Sequence, residues 1–410
     1  MGEIKSMIGE NYIIYGAGRV GKKIADLLLK MEKKVVMIWD RNPKKECTYR
    51  GIPVCNPYEN QQIIWDHRNC KIIIGLANGL ENEKIYQYLH KNGCQEIYPY
   101  RGGNIAEILC LEDNPLEETC MVCACLETCE KRMKRNIENI YGAFYPENKK
   151  KISALSIAVT NRCVLNCEYC AQCTEEIRKS GIFYDMKAAS LKNYMTAILK
   201  DVFYIHELAL TGGEALLCND LPEIIRYLCE LPQIGYIKLL TTATVELSDH
   251  LIEVLKNPKL ITWIDDYGTE KKIPIALQKN LEKNLKKLAE NQVCYQVIDN
   301  SNGTWYDLGN MKKREDLMEN KKKNKECMFR TCLLLSAKGN LSWCSRNISC
   351  FEYGLIPKDK RDYCDLSDET DALRVNEILQ LQYLHGCEYC SGTSKNNIVA
   401  AGRQREKSAD

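Results

Sequence analysis

Apolar runs and amphipathic segments divide the start of the chain into a small α/β unit. Residues 12–15 are an apolar run, residues 22–31 repeat apolar positions with a helical period, and residues 34–40 are a second apolar run that ends in an acid. A further run at 70–75 and a helical pattern at 81–92 follow. Strands that alternate with helices predict a parallel sheet.

The same alternation returns after residue 150 and predicts a second, larger α/β part. We count five strand–helix units, and the pattern leaves the position of a sixth strand open. The predicted strands are 152–160, 206–210, 236–240, 260–264 and 293–298. The predicted helices are 186–202, 221–231, 249–256 and 275–291. Apolar runs at 333–336 and 341–343, on either side of Gly339, predict a short hairpin.

A glycine-rich turn joins the first predicted strand to the first helix. Gly16, Gly18 and Gly21 follow the G-x-G-x-x-G pattern, and Asp40 lies at the end of the next strand. In this order the glycines allow a pyrophosphate to approach the helix N-terminus, and the acid can accept hydrogen bonds from a ribose. A sugar nucleotide, a nicotinamide cofactor and a fold without ligand all remain open, because fold alone does not set function.

Charge and composition narrow the class of protein. Lys and Arg number 57 against 55 Asp and Glu, a formal charge of +2, so nothing calls for nucleic acid or an anionic membrane as partner. The chain has 23 cysteines in close clusters, and we see no signal peptide and no apolar run of about 18 residues. Clustered cysteines favour metal sites in a reducing compartment, so we expect a cytoplasmic protein.

The cysteine cluster with the most informative spacing follows the strand at 152–160. Cys163, Cys167 and Cys170 form C-x3-C-x2-C, with Tyr169 just before the third. Cysteine thiolates hold iron–sulfur clusters, and three of them leave one iron of a cubane open to a small molecule. A zinc knuckle or buried thiols are the alternatives. Downstream, Thr211-Gly212-Gly213-Glu214 ends another predicted strand.

These motifs resemble those of the radical S-adenosylmethionine (SAM) enzymes. The resemblance implies a partial (β/α)6 barrel, a [4Fe-4S] cluster on the three cysteines, and SAM chelated to the open iron. One electron, from a donor such as flavodoxin or ferredoxin, then yields a 5′-deoxyadenosyl radical. The segment from Thr211 to Glu214 is similar to the Gly-Gly-Glu motif that receives the SAM amino group.

Two further segments of the larger part are candidates for binding SAM. Thr241 and Thr242 stand where the family often has Thr-Asn-Gly, so the ribose contacts there are in doubt. Asp265 lies at the end of a predicted strand, where functional residues of such sheets gather. It can contact SAM or substrate, or serve only as a polar strand end.

The C-terminal cysteines resemble the twitch or SPASM extension of radical SAM enzymes. The resemblance implies an auxiliary cluster on Cys327 or Cys332, then Cys344, Cys387 and Cys390, and it favours the one-cluster twitch form. Between the two α/β parts, four closely spaced cysteines can hold zinc or a further cluster, or pack as small apolar side chains. They are Cys120, Cys123, Cys125 and Cys129.

We therefore expect an α/β protein of four parts. They are a Rossmann-like domain (1–105), a cysteine-rich connector (106–150), a radical SAM core (151–320) and a twitch/SPASM-like domain (321–410). The N-terminal part resembles the Rossmann-like domains of sugar-nucleotide-handling proteins. The resemblances imply an oxidoreductase or epimerase that takes hydrogen from a small molecule, a sugar or nucleotide-linked sugar. A peptide maturase and a non-catalytic iron–sulfur or sugar-nucleotide sensor are the alternatives.

Overall fold

Two mainly parallel sheets contain most of the strands that the hydrophobic pattern predicts. The computed structural model describes residues 11–30, 32–43, 48–76, 79–99, 150–257, 259–268 and 273–405. Residues 11–99 belong to one compact unit and residues 150–405 to a second. The connector cysteines Cys120, Cys123, Cys125 and Cys129 lie outside the described residues.

The N-terminal unit is a six-stranded sheet in the order β3-β4-β2-β1-β5-β6. All neighbours pair in parallel except β3 and β4. Alternate side chains of β1 enter two separate cores, Tyr12 and Ile14 on one face and Ile13 and Tyr15 on the other. Such two-sided burial is typical of a parallel sheet covered on both faces. The elements are β1 (Asn11–Tyr15), α1 (Arg19–Lys30), β2 (Lys34–Trp39), β3 (Thr48–Tyr49), β4 (Ile52–Cys55), α2 (Gln62–Asp66), β5 (Lys71–Ile74), α3 (Gly79–Lys91) and β6 (Ile97–Pro99).

The larger unit is built on an eight-stranded sheet in the order β11-β10-β9-β8-β7-β13-β14-β15. Its strands are β7 (Lys150–Thr160), β8 (Val202–Gly212), β9 (Ile234–Thr241), β10 (Leu260–Asp266), β11 (Tyr295–Asp299), β13 (Leu333–Leu335), β14 (Asn340–Ser342) and β15 (Cys364–Asp365). Its helices are α4 (Thr174–Ser180), α5 (Ala188–Asp201), α6 (Leu221–Glu230), α7 (Asp249–Leu255), α8 (Ile275–Glu290), α9 (Leu317–Glu326), α10 (Ser345–Glu352) and α11 (Val375–Gln380). A separate ribbon pairs β12 (Thr304–Tyr306) with β16 (Ile398–Ala400).

The two faces of this sheet differ in chemistry. On one face, alternate residues such as Leu155 and Leu208 are fully buried in a single apolar core with the helices. The other face carries an ion pair of the buried Lys238 with the partly buried Glu207, in which Lys238 Nζ lies 3.0 Å from Glu207 Oε2 and 4.2 Å from the ring centroid of Trp263. A parallel sheet with one apolar and one polar face can close around a polar chamber.

The predicted elements of both units are confirmed, with bounds that shift by a few residues. The undecided sixth parallel strand is β13, which pairs with β7 through Leu333 to Leu335 opposite Leu155 to Ile157. The sequence pattern predicts this strand as part of the hairpin but not its pairing with β7, because a three-residue strand does not show which sheet neighbour it joins. The predicted hairpin is the antiparallel pair of β13 and β14.

Among the described residues, no helix combines the length and the apolar character that crossing a membrane requires.

The hairpin ties the C-terminal residues into the core of the larger unit. We expect Leu335→Ala to lower the free energy of unfolding by about 2–5 kcal/mol, because Leu335 is fully buried between β7 and β14. Denaturant unfolding followed by circular dichroism measures this. Leu373→Ala is the control, since Leu373 is 73% exposed. If Leu335→Ala unfolds in two steps, and the second step keeps the denaturant midpoint of the unmodified protein, the C-terminal residues unfold separately from the rest of the unit.

Candidate functional site

The cysteine loop begins where β7 ends, at the carboxyl edge of the larger sheet. Its thiols Cys163, Cys167 and Cys170 belong to one apolar cluster with Leu165 and Tyr267, among other residues. Functional groups of parallel α/β sheets gather at this edge because the strands end there and the loops are free to vary. The structure thus brings the three predicted ligands together.

Arg178 holds the backbone of this loop, and Arg162, at the start of the loop, is held by an acid. Arg178 of α4 donates to the carbonyl oxygens of Cys163 (2.8 Å) and Leu165 (2.6 Å). Arg162 donates from Nε to Asp185 Oδ1 over 3.1 Å. Buried carbonyl groups need donors, and a guanidinium supplies several in a fixed geometry. Sequence reasoning did not identify these arginines, since no local pattern links them to the cysteines.

Residues 403–405 lie against the same loop and form hydrogen bonds with it. Gln404 donates from Nε2 to the Cys167 sulfur (3.0 Å) and accepts from the Asn166 amide (2.8 Å). Backbone bonds join Glu168 to Arg403 (2.7 Å) and Arg405 to Asn166 (2.9 Å). A segment more than two hundred residues away therefore completes the cysteine site, and sequence reasoning missed it because the pairing is long-range.

The two glycines of the Gly-Gly-Glu turn are required by close packing against the cysteine loop. Gly212 has φ +150°, and a Cβ there would overlap the carbonyl oxygen of Thr160. A Cβ on Gly213 would overlap the carbonyl oxygen of Arg162 and crowd the Cβ of Cys163. The turn is also hydrogen-bonded to the loop, from Gly213 N to Thr160 O over 3.0 Å. Only glycine permits this approach.

Glu214 is buried and holds the next strand end in place. Its carboxylate accepts from the Thr241 hydroxyl (2.5 Å), and from the amide (3.0 Å) and hydroxyl (2.7 Å) of Thr242. It also accepts from the Leu216 amide (3.2 Å). These bonds satisfy a carboxylate that is only 2% exposed. The predicted residues Glu214, Thr241 and Thr242 therefore form one network beside Thr211.

The thiols are strongly biased towards their protonated form. Burial raises the pKa of Cys167 to about 12, while the Gln404 hydrogen bond acts in the opposite direction. Burial, together with the charges of Glu214 and Cys170, also raises the pKa of Cys163. A cationic cluster can displace these protons, because thiolates bind metal in place of hydrogen. The donor set thus fits an iron–sulfur cluster.

Two aromatic rings pack in the same cluster as the thiols, and a half-buried acid lies near one of the rings. Tyr267 packs edge-on against Trp305, with ring centroids 5.6 Å apart. Asp265, at the carboxyl end of β10, accepts from the Asn300 amide over 2.8 Å. Burial raises the pKa of Asp265 to about 6, and the nearby Glu214 charge adds to the shift. The predicted Asp265 therefore lies close enough to Glu214 of the Gly-Gly-Glu turn for the two carboxylates to interact.

A cavity of about 560 Å³ adjoins the cysteine loop and is lined by Cys167, Cys170, Cys173, Arg314 and Arg346, among others. The Arg346 guanidinium contacts the Cys170 carbonyl oxygen (3.4 Å) and the Cys173 sulfur (3.5 Å). Cys173 in turn lies 3.7 Å from the Cys350 sulfur. The space is large enough for a small molecule.

Four of the C-terminal cysteines line a second cavity of the larger unit. They are Cys327, Cys344, Cys387 and Cys390. Burial raises the pKa of Cys344 to about 12, and the Cys390 and Cys327 thiols add to the shift. Cys332 lies elsewhere. Its sulfur is 3.1 Å from the Ser156 hydroxyl of β7, near Glu207 and Lys238. Of the two predicted alternatives for the first ligand, the structure groups Cys327 with the other three.

In the described part of the chain, no three His, Cys, Asp or Glu side chains are arranged to hold a single metal ion. A cubane binds each thiolate through a different iron, so it calls for ligands set further apart than those of one ion.

The glycine turn of the N-terminal unit is closely packed at two of its three predicted glycines. Gly16 has φ +114°, and a Cβ on Gly21 would overlap the Gly16 carbonyl oxygen. A Cβ on Gly18 would meet nothing within 4 Å, so that side of the turn is open. Asp40 accepts from the Ala17 amide over 2.7 Å. Its carboxylate thus holds the turn, and its remaining lone pairs can accept further bonds.

Taken together, the larger unit is an α/β domain with three thiols at the carboxyl edge of its sheet and a diglycine turn packed against them. Residues 157–292 match the model of the Radical SAM superfamily, so the chain contains a radical SAM domain. Enzymes of this family use a [4Fe-4S] cluster and SAM.

Two curated relatives and one solved structure illustrate this similarity. A 7,8-dihydro-6-hydroxymethylpterin dimethyltransferase of Methanocaldococcus jannaschii is 29% identical over 150 residues, 36% of this chain and 28% of the relative. A GTP 3′,8-cyclase of Syntrophomonas wolfei is 26% identical over 165 residues, 36% of this chain and 48% of the relative. The matches thus span less than half of these relatives. The crystal structure of BtrN in complex with AdoMet and 2-DOIA is 14% identical, with a TM-score of 0.35, over 60% of this chain and 95% of BtrN.

The Gln404 contact predicts a measurable change in the cysteine loop. We expect Gln404→Leu to speed amide exchange in residues 163–170 by about 3–10-fold, because the loop loses hydrogen bonds worth about 0.5–1.5 kcal/mol each. Hydrogen–deuterium exchange with mass spectrometry measures this. Gln380→Leu, at an exposed position of α11, is the matched control. Equal protection in both variants would contradict a stabilising role for Gln404.

The half-buried Asp265 predicts a pH dependence of stability. Its pKa is about 6 in the folded chain and ordinarily about 4, so the folded state binds more protons between these values. Stability contributed by this group therefore falls as pH rises from about 4 to about 6. We expect the thermal midpoint of Asp265→Asn, measured by calorimetry, to change less with pH across this window than that of the unmodified protein. An unchanged slope would show that Asp265 does not titrate there.

Proposed function

We propose that this protein is a radical SAM enzyme that abstracts hydrogen from a small molecule, a sugar or nucleotide-linked sugar, with dehydrogenation or epimerisation as the outcome. The observation that carries the proposal is the cluster of Cys163, Cys167 and Cys170 against the diglycine turn, inside a domain that matches the family.

Each residue of the site has a role in this proposal. The three thiolates hold the [4Fe-4S] cluster, which with SAM supplies a 5′-deoxyadenosyl radical. Gly212 and Gly213 bring polar backbone next to the cluster, where the SAM amino group binds, and Glu214 keeps that turn rigid through Thr241 and Thr242. Tyr267 and Trp305 exclude water from the reacting atoms.

The four-cysteine cavity supports an auxiliary cluster of the twitch type. Cys327, Cys344, Cys387 and Cys390 would hold it, with Cys332 outside the set. In a dehydrogenation the substrate C–H hydrogen goes to the deoxyadenosyl group. If the attacked carbon carries a hydroxyl group, the remaining radical would lose the hydroxyl proton to a base and one electron to a cluster held by these four thiolates, and a carbonyl group would result. A flavodoxin- or ferredoxin-type protein would take that electron away and supply the one that starts the cycle.

The N-terminal unit supports a nucleotide-linked substrate. Its parallel sheet, the open glycine turn at Gly18 and the acid Asp40 suit a Rossmann-like site for a pyrophosphate and ribose. A nicotinamide cofactor and an unliganded fold are the other readings. The names of the relatives mention GTP and a pterin, but the matched segments lie in less than half of those proteins, so the substrate stays a proposal. A cytoplasmic location likewise stays a prediction from the cysteine content.

Two other functions remain as alternatives. A peptide maturase would share the core and the auxiliary site. A non-catalytic sensor would hold clusters and turn nothing over. The mainly parallel α/β sheet of the described N-terminal unit supports the sugar substrate over the peptide.

We expect anaerobically reduced protein to release 5′-deoxyadenosine from SAM, and Cys167→Ala to abolish the release. Removing one of three ligands empties the radical site, so iron should fall from about eight to about four per chain. Cys229→Ala is the control, because this thiol of α6 belongs to neither group of cysteines. Release that persists in Cys167→Ala would refute the assignment of the site. No release from the unmodified protein with intact clusters would favour the sensor.

The substrate class is tested with deuterium. A sugar nucleotide labelled on the sugar carbons should transfer deuterium into 5′-deoxyadenosine if the proposal is right. Transfer only from labelled peptides would favour the maturase instead.

A further inference from the structure

Arg330 is a charged side chain of the four-cysteine cavity, and one of its nitrogen atoms is buried without a hydrogen-bond partner among the described residues. It lies in the short 3-10 turn Met328–Thr331, directly after Cys327, and its side chain lines the cavity formed by the four C-terminal cysteines. Nη2 donates to the Leu381 carbonyl oxygen over 2.9 Å, and the guanidinium lies 5.7 Å from the ring centroid of Trp343. Nη1 is buried and has no hydrogen-bond partner among the described residues.

A buried cationic donor without a partner is costly. A guanidinium keeps its charge inside proteins, and leaving one of its donors buried without an acceptor costs more than leaving a neutral donor so. Burial lowers the pKa of Arg330, and the charges of Cys387, Cys344 and Cys327 oppose that shift. Those three groups therefore lie close enough to act on the guanidinium. Neutral thiols give it no counter-charge, whereas thiolates around a cluster would.

Arg346, the other arginine that lines this cavity, provides a contrast. Its guanidinium donates to the Cys170 carbonyl oxygen and the Cys173 sulfur, and to the Gly309 carbonyl oxygen over 3.3 Å. Its contacts lead towards the radical site. Arg330 is thus the arginine whose free donor is left for whatever occupies the four-cysteine cavity.

We propose that Arg330 is the charge partner of the auxiliary cluster and raises its reduction potential. This rests on the proposed function, since it requires a cluster on Cys327, Cys344, Cys387 and Cys390. Four thiolates give an oxidised [4Fe-4S] cluster a net charge of −2, and reduction adds a further negative charge. A fixed positive charge beside it favours the reduced form, because potentials of such clusters depend on net charge and on hydrogen bonds to the sulfurs.

This placement bears on the direction of the reaction. A cluster with a raised potential takes an electron from a substrate radical more readily, which favours dehydrogenation over the return of a hydrogen atom. Arg330 is therefore a positioning residue. Its positive charge acts on the auxiliary cluster, which accepts the electron, and its side chain does not touch the substrate.

The test uses the full chain with Cys163, Cys167 and Cys170 all replaced by Ala, so that the radical-site cluster contributes no signal, and a further Cys344→Ala change identifies the signal that belongs to the auxiliary cluster. The midpoint potential is measured by redox titration with electron paramagnetic resonance. We expect Arg330→Met to reduce the equilibrium constant for one-electron reduction at least tenfold, a shift of about 59 mV to more negative potential. Arg330→Lys should stay within about threefold, because the charge is kept. Arg226→Met, on α6, is the matched control and should leave the potential unchanged.

The outcomes separate this inference from the proposed function. If the triple-alanine protein binds no cluster, both the auxiliary site and the role of Arg330 are refuted. If it binds one and Arg330→Met leaves the equilibrium constant within twofold, only the role of Arg330 is refuted. Where Arg330→Met fails to fold or to retain iron, Arg330→Gln decides by the same measurement, since it keeps an amide donor and removes the charge. A merely structural arginine would alter stability and leave the potential in place.

Discussion

The close approach of two backbone segments underlies the candidate site. The end of β8 presses against the end of β7 so tightly that Gly212 and Gly213 have no room for side chains. This contact places the first cysteine of the loop beside the diglycine turn, and Glu214 then anchors the neighbouring strand end. Without it, the thiols and the polar backbone next to them would belong to separate loops. The steric limit on two residues thus determines where the chemistry can occur.

Burial is the second constraint, and it acts in the same direction at both cysteine groups. Apolar surroundings raise the thiol pKa values, which makes the metal-free thiols poor nucleophiles and keeps them protonated. The same surroundings exclude water once metal replaces the protons. Polar side chains act on these thiols at short range, among them the neutral amide of Gln404 at the first group and the guanidinium of Arg330 at the second. Their effect is large because little solvent is present to screen it.

Much of the architecture follows from local patterns. The alternation of apolar runs and helical segments predicted both parallel sheets, and β7 with its following cysteine loop was predicted nearly residue for residue. The Gly-Gly-Glu motif was predicted from its resemblance to that of the radical SAM enzymes, and the structure adds the steric reason for its two glycines. The parallel pairing of β13 with β7 was not predictable, since a three-residue strand carries no periodicity. The four-part division of the chain stays a prediction, although the larger sheet runs continuously across residue 320.

The sequence by itself determined the elements of the sheets, the thiols that stand close in the chain and the glycines that crowding demands. These are short-range properties, set by side-chain type and spacing. Only the tertiary structure decided that Cys327 joins Cys344, Cys387 and Cys390 while Cys332 faces Ser156, and that Gln404 and Arg330 serve the two cysteine groups. Contacts between residues far apart in the sequence depend on how whole helices and strands pack, and the residue types next to each position do not determine them.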